Sequence, residues 1–227
     1  MARTRGPAEA RNDGPPATPR PAASTVLIRR GGKHRDDKLE VLLLKRTDKA
    51  AFMPNAWVFP GGSVDPEDGE GPEGFRACAR RELLEEAGVA LPEDEEMVPF
   101  CRWITPEIVS RRFDAWFFFA LAPAHTKPTC DGVETVDARW FEPSAALAAN
   151  DAGEVVLAFP TRTQLTWLAV HPTAAAALTA YRDATLDEPI VPELVGDGDD
   201  RRLILPGLAD SVALRDIPDV EDTDERR

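Results

Sequence analysis

Short blocks rich in Val, Leu, Ile and Phe recur between Ser24 and Phe141, each of strand length and each bounded by polar or turn-forming residues. Ser24–Arg30 and Leu39–Lys45 read as strands joined through the polar turn 31–37 into a hairpin. Trp57–Phe59 is a short strand entering Pro60-Gly61-Gly62; Val98–Ile104 and Phe113–Leu121 continue the sheet, and Val133–Phe141 closes it. Between these blocks the period changes. Phe75, Ala79, Leu83 and Ala87 recur every four residues, the spacing of a helix that packs one face on a core. The helix is predicted over Pro72–Ala87: Pro72 suits a first turn, Glu73 complements the positive end of the helix dipole, and Gly88 supplies the left-handed stop. Pro143–Ala149, Arg162–Val170 and Thr173–Arg182 read as further helices, and Leu203–Leu205 as a late edge strand. This order predicts an α/β fold with a mixed sheet between helical layers.

The polar side of the main helix carries the chemistry. At about 100° per residue, Glu82, Glu85 and Glu86 fall within an arc of roughly 100°, so three carboxylates share one face, turned outward while Leu83 packs. Like charges so spaced cost about a few tenths of a kcal/mol per pair, and a divalent cation is the simplest group that converts the cost into a gain. Arg81 stands four residues before Glu85, where it can pair with that carboxylate and orient the array without competing for an ion. The plain alternative is a solvated Glu/Arg face, which would not also need the upstream Pro-Gly-Gly turn and the glycine stop.

Composition narrows the class. The chain has 227 residues, 43% of them hydrophobic, and no apolar run long enough to cross a bilayer, which fits one soluble domain plus tails and no membrane partner. A net charge of −13 argues against a general nucleic-acid binder. Cys78, Cys101 and Cys130 form no close-spaced pair and are odd in number, so they read as reduced thiols of a cytoplasmic protein. Residues 1–22, rich in Pro, Arg and Ala, read as a disordered tail, with a mitochondrial presequence as the weaker alternative. The domain then covers 23–208, and 209–227 form an acidic tail.

Glu73, Arg81-Glu82-Leu83-Leu84-Glu85-Glu86-Ala87-Gly88-Val89 and the upstream Gly62 together resemble the Nudix box. One departure stands out: ten residues separate Gly62 from Glu73, where the family usually has five, and the acidic, turn-rich insertion is expected to extend a loop at the site's rim. Two wider stretches, 52–62 and Trp103-Ile104-Thr105-Pro106 with Arg112-Phe113-Asp114, resemble the peroxisomal coenzyme A diphosphatase subgroup. The resemblance implies a Nudix-type α/β/α sandwich with added C-terminal helices, which would cover the pocket or build a homodimer. It also implies hydrolysis of a diphosphate in a small nucleoside diphosphate derivative, coenzyme A or acyl-coenzyme A first. ADP-ribose, NADH and related compounds are the alternatives, and a non-catalytic ligand sensor is the alternative class.

By the same resemblance Glu82, Glu85 and Glu86 hold Mg²⁺ or Mn²⁺, with the Gly62 carbonyl as a further ligand, and Glu73 pairs with Arg81. The candidates for general base are Glu82 and Glu134, with Glu134 preferred as base or fourth metal ligand and a surface strand residue as its plain alternative. Arg46, Arg111 and Arg112 are the candidate substrate cations, with Arg112 first and an ion pair to Asp114 as its structural alternative. Trp57 and Trp103 read as core residues, with adenine stacking as the alternative. His34, His125 and His171 share no metal spacing, and Ser110 and Ser144 lack a triad context.

Overall fold

A computed structural model describes residues 14–30, 38–50, 53–109, 111–182, 188–195, 202–205 and 211–213. The turn 31–37, Phe52, His34, Ser110, residues 1–13 of the N-terminal tail and 214–227 of the C-terminal one lie outside that set.

The central sheet is mixed. Strand β1 (Arg20–Arg30) runs parallel to β6 (Phe113–Leu121), which pairs antiparallel with β5 (Val98–Ile104). On its other edge β1 is shared by two partners, β4 (Gly61–Ser63) opposite Ala22–Ser24 and β2 (Leu39–Arg46) opposite Ile28–Arg30. β2 in turn pairs with β3 (Trp57–Val58) on one side and β7 (Thr135–Phe141) on the other. The predicted β1–β2 hairpin therefore forms at its closed end and splays open at the other. The segment from Ala56 to Ser63 fills the fork, tied by Arg46 N–H to the Ala56 carbonyl at 2.9 Å and Thr25 N–H to the Pro60 carbonyl at 2.9 Å.

Alternation along the strands builds two cores. Ala23, Leu27, Leu42, Leu44 and Phe118 face helix α1 (Gly71–Ala87), meeting Cys78, Ala79, Leu83 and Ala87. Val26, Ile28, Val41, Leu43, Phe117 and Phe119 face the opposite layer, helices α2 (Pro143–Asp151), α3 (Phe159–Leu168) and α4 (Ala174–Arg182). α1 ends as expected: Gly88 is left-handed at φ 64°, and its N–H donates to Leu84 O at 2.9 Å.

The differences from expectation are local. β1 starts at Arg20, four residues before Ser24, because the parallel ladder to β6 and the pairing with β4 organise Arg20–Ala23, which has no hydrophobic alternation of its own. β7 starts at Thr135 and α3 at Phe159, where Pro160 occupies a first-turn position. The late strand is Arg202–Ile204, the middle strand of a second, three-stranded sheet whose outer members, Glu193–Val195 and Ser211–Ala213, the sequence pattern does not reveal.

Candidate active site

Gly61 and Gly62 lie in the fork directly against α1. A Cβ on Gly61 would stand 2.1 Å from Ser24 Oγ and 2.6 Å from the Ala23 carbonyl, so only glycine allows the strand pairing there. A Cβ on Gly62 would stand 2.4 Å from Glu82 Oε1. The insertion therefore does not separate the glycine turn from the glutamates.

Glu86 does not face outward as the helical arc suggested. It is 6% exposed, beneath the turn, and the Gly61 N–H donates to its Oε2 at 2.9 Å. Burial pushes its carboxyl up to about 7; the Glu82 and Glu134 carboxylates act in the same direction, against the Gly61 hydrogen bond and the Arg46 charge. Glu82, with its side chain 14% exposed, is also raised, by burial first, while Arg81 draws it down. Glu85 stands at the rim, its side chain 56% exposed.

Arg81 is the hub of the array. Its Nη1 donates to Glu82 Oε1 at 2.8 Å and to Glu85 Oε2 at 3.0 Å, and its Nη2 to the Ser63 carbonyl at 3.0 Å. The other edge of the guanidinium grips Asp68 bidentately, Nε to Oδ1 at 3.0 Å and Nη2 to Oδ2 at 2.8 Å. Glu73, expected to pair with Arg81, pairs with Arg76 at 2.7 Å and leaves its side chain 84% exposed. Eight residues of helix carry Glu73 about 12 Å along the axis from Arg81, beyond side-chain reach.

Glu134 arrives on the loop before β7. Asp131 accepts the N–H groups of Val133, Glu134 and Thr135 at 2.9–3.2 Å, an Asx-type turn that fixes this loop. The Thr135 hydroxyl lies 3.1 Å from the Glu86 carbonyl as its donor, and Thr47 N–H donates to the Glu134 carbonyl at 3.0 Å. Glu134 is exposed, and its charge is felt by both Glu82 and Glu86.

The candidate cations divide. Arg46, at the end of β2, acts electrostatically on Glu86 and so belongs to the site. Arg112 does not join it. It is 8% exposed, with Nε donating to Thr105 O at 2.9 Å and Nη1 to Ala17 O at 2.8 Å, which ties down the chain entering β1. Its alternative partner Asp114 is held bidentately by Arg102 at 2.7 Å. Arg111 is exposed beside it. Trp57 and Trp103 are core: Trp57 meets Phe141 edge-on and Trp103 stacks on Trp167, each under 5% exposed.

Among the described residues no three acidic or ligating side chains converge as a ready metal cage, since Glu82 and Glu85 turn toward Arg81. The donor set nevertheless suits a hard cation. It is all oxygen, and its innermost carboxylate is buried with an elevated pKa beside two further carboxylates. Gly62 O has Cys78 Sγ at 3.6 Å as a weak donor.

The NUDIX domain description matches residues 18–159, more than half the length of the chain. The chain belongs to the Nudix family. Its Nudix fold superposes on the crystal structure of a NUDIX hydrolase from Alicyclobacillus acidocaldarius with a TM-score of 0.62 at 24% identity, covering 74% of this chain and 97% of that one. A nudix hydrolase homologue of Caenorhabditis elegans is 30% identical over 162 residues, 56% of this chain and 55% of that one. The acyl-coenzyme A diphosphatase NUDT19 of Xenopus laevis is 24% identical over 204 residues, 48% of this chain and 54% of that one. The chain thus spans about half the length of these curated relatives. No described helix is long and apolar enough to cross a membrane.

Proposed function

We propose that this Nudix domain hydrolyses the diphosphate linkage of a small nucleoside diphosphate derivative in a divalent-metal-dependent reaction, with coenzyme A or acyl-coenzyme A as the substrate class. The observation that carries the reading is the buried Glu86 under the Gly61 N–H, with the Glu82 and Glu134 carboxylates near enough to act on its charge. The likeness to an acyl-coenzyme A diphosphatase supports the substrate class.

Glu82, Glu85, Glu86 and the Gly62 carbonyl are the residues that would hold Mg²⁺ or Mn²⁺, which would neutralise phosphate charge and lower the pKa of the attacking water. Glu86 is anchored by the Gly61 N–H and by burial. Glu82 is engaged by Arg81, which leaves the more exposed Glu134 as the carboxylate free to take a proton from water, its loop preset by Asp131. Arg46 supplies positive charge on the Glu86 side for a phosphate oxygen. Water then attacks one phosphorus and a phosphate monoester leaves.

The test is product analysis by mass spectrometry after incubation with Mg²⁺ and a competing mixture of coenzyme A, ADP-ribose and NADH. The proposal expects 4′-phosphopantetheine and 3′,5′-ADP. Selective loss of ADP-ribose or NADH would overturn the substrate class and retain the hydrolysis, whereas silence with Mg²⁺ and with Mn²⁺ would overturn both.

A further inference from the structure

The ten residues between Gly62 and Glu73 are more than a spacer. A short 3-10 turn, Pro66–Asp68, folds back so that Asp68 Oδ2 accepts the Asp65 N–H at 2.8 Å, fixing the carboxylate before it meets Arg81. Gly69 and Gly71 follow, both at positive φ, 88° and 66°, and bring the chain around into α1. There Gly74 packs so tightly on the turn that a Cβ would stand 2.5 Å from the Gly69 carbonyl. The result is a bracket that sets Asp68, its side chain 5% exposed, beneath the guanidinium.

We infer that Asp68 is the positioning residue of the carboxylate array: by its bidentate grip on Arg81 it sets where Glu82 and Glu85 stand, and Glu73 takes no part. The five N–H donors of Arg81 have Asp68 on one edge and Glu82 and Glu85 on the other, with Ser63 O between. Loss of the Asp68 carboxylate frees the guanidinium to rotate, and both glutamates move with it. The bond to Arg81 also holds the Asp68 carboxyl below the usual carboxylate range. The inference rests on the proposed metal-dependent hydrolysis for its consequence, and on the side-chain geometry alone for the bracket itself.

The experiment compares the full-length chain with Asp68→Asn, Asp68→Glu and Glu73→Gln. It follows the Arg81 Nε–H resonance by NMR, Mn²⁺ affinity by calorimetry, and Mg²⁺-dependent turnover. In the parent and in Glu73→Gln the Nε–H is shifted and protected from exchange, and Mn²⁺ affinity agrees within about twofold. In Asp68→Asn the protected resonance is lost and affinity or turnover falls about 10- to 100-fold, while Asp68→Glu recovers part of both. A resonance that survives in Asp68→Asn, or an effect of Glu73→Gln as large as that of Asp68→Asn, overturns the inference. If the resonance follows Asp68 but the parent neither binds Mn²⁺ nor hydrolyses a diphosphate, the bracket stands as structure. The failure then belongs to the proposed function and to the array's role in it.

Discussion

The Gly61 N–H donates to Glu86 Oε2 at 2.9 Å, joining the turn that fills the sheet's fork to the innermost carboxylate of the helix. The adjacent glycines have different tasks, and two substitutions separate them. Gly61→Ala forces a methyl onto the Ala23 carbonyl, a backbone atom that cannot move alone, so it lowers the melting temperature of the whole domain. Gly62→Ala meets the flexible end of Glu82 first, so the fold survives and metal affinity falls. Thermal melts and Mn²⁺ titrations of the two variants distinguish these outcomes; equal loss of stability in both would refute the division.

Stability without metal should depend on pH in an unusual direction. The native Glu86 carboxyl sits at about 7, above the ordinary value of 4.5, so the folded chain binds this proton more tightly than the unfolded one. The stability it contributes is present below about pH 4.5 and is lost as pH rises through about 7. Glu86→Gln removes this component. In chelator-treated protein, the melting temperature of the parent relative to Glu86→Gln is expected to fall from about pH 5 toward about pH 8. A flat difference would contradict the assignment.

Arg112 is expected to act through stability. Replacing it by Met leaves the carbonyls of Thr105 and Ala17 without their donor, at a cost of about 1–3 kcal/mol. That corresponds to about 2–4 °C in melting temperature per kcal/mol for a domain of this size. Turnover per folded molecule should be unchanged; a rise in KM with no loss of stability would return Arg112 to the substrate site.

Much of this was legible in the sequence because local chemistry and tertiary structure agree there. The four-residue stripe Phe75, Ala79, Leu83, Ala87 and the stop at Gly88 placed α1 to within one residue at its start. The strands from β1 to β7 follow from their apolar blocks, although β4 reads only as a Gly-Gly turn because its ladder is made by β1. Glu86 was misplaced to the outside because helical periodicity cannot see the fork that covers it. Arg81's partner was misassigned because two spacings compete: Glu73 keeps the family's distance to Arg81, whereas Asp68 keeps its distance to Gly62, with five residues between. The second signal was present, and the fold follows it. Asp131 and Thr135 had no signal beyond the turn pattern Asp-Gly, since their roles come from docking on the end of α1.

The most direct test of the account is turnover of coenzyme A by chelator-treated protein on titration with Mg²⁺, run in parallel with Glu86→Gln. Removal of metal should silence the parent, Mg²⁺ should restore it saturably, and Glu86→Gln, folded as judged by circular dichroism, should stay at least about 100-fold slower throughout. Hydrolysis that persists after metal removal, or a Glu86→Gln variant as active as the parent, would contradict the account.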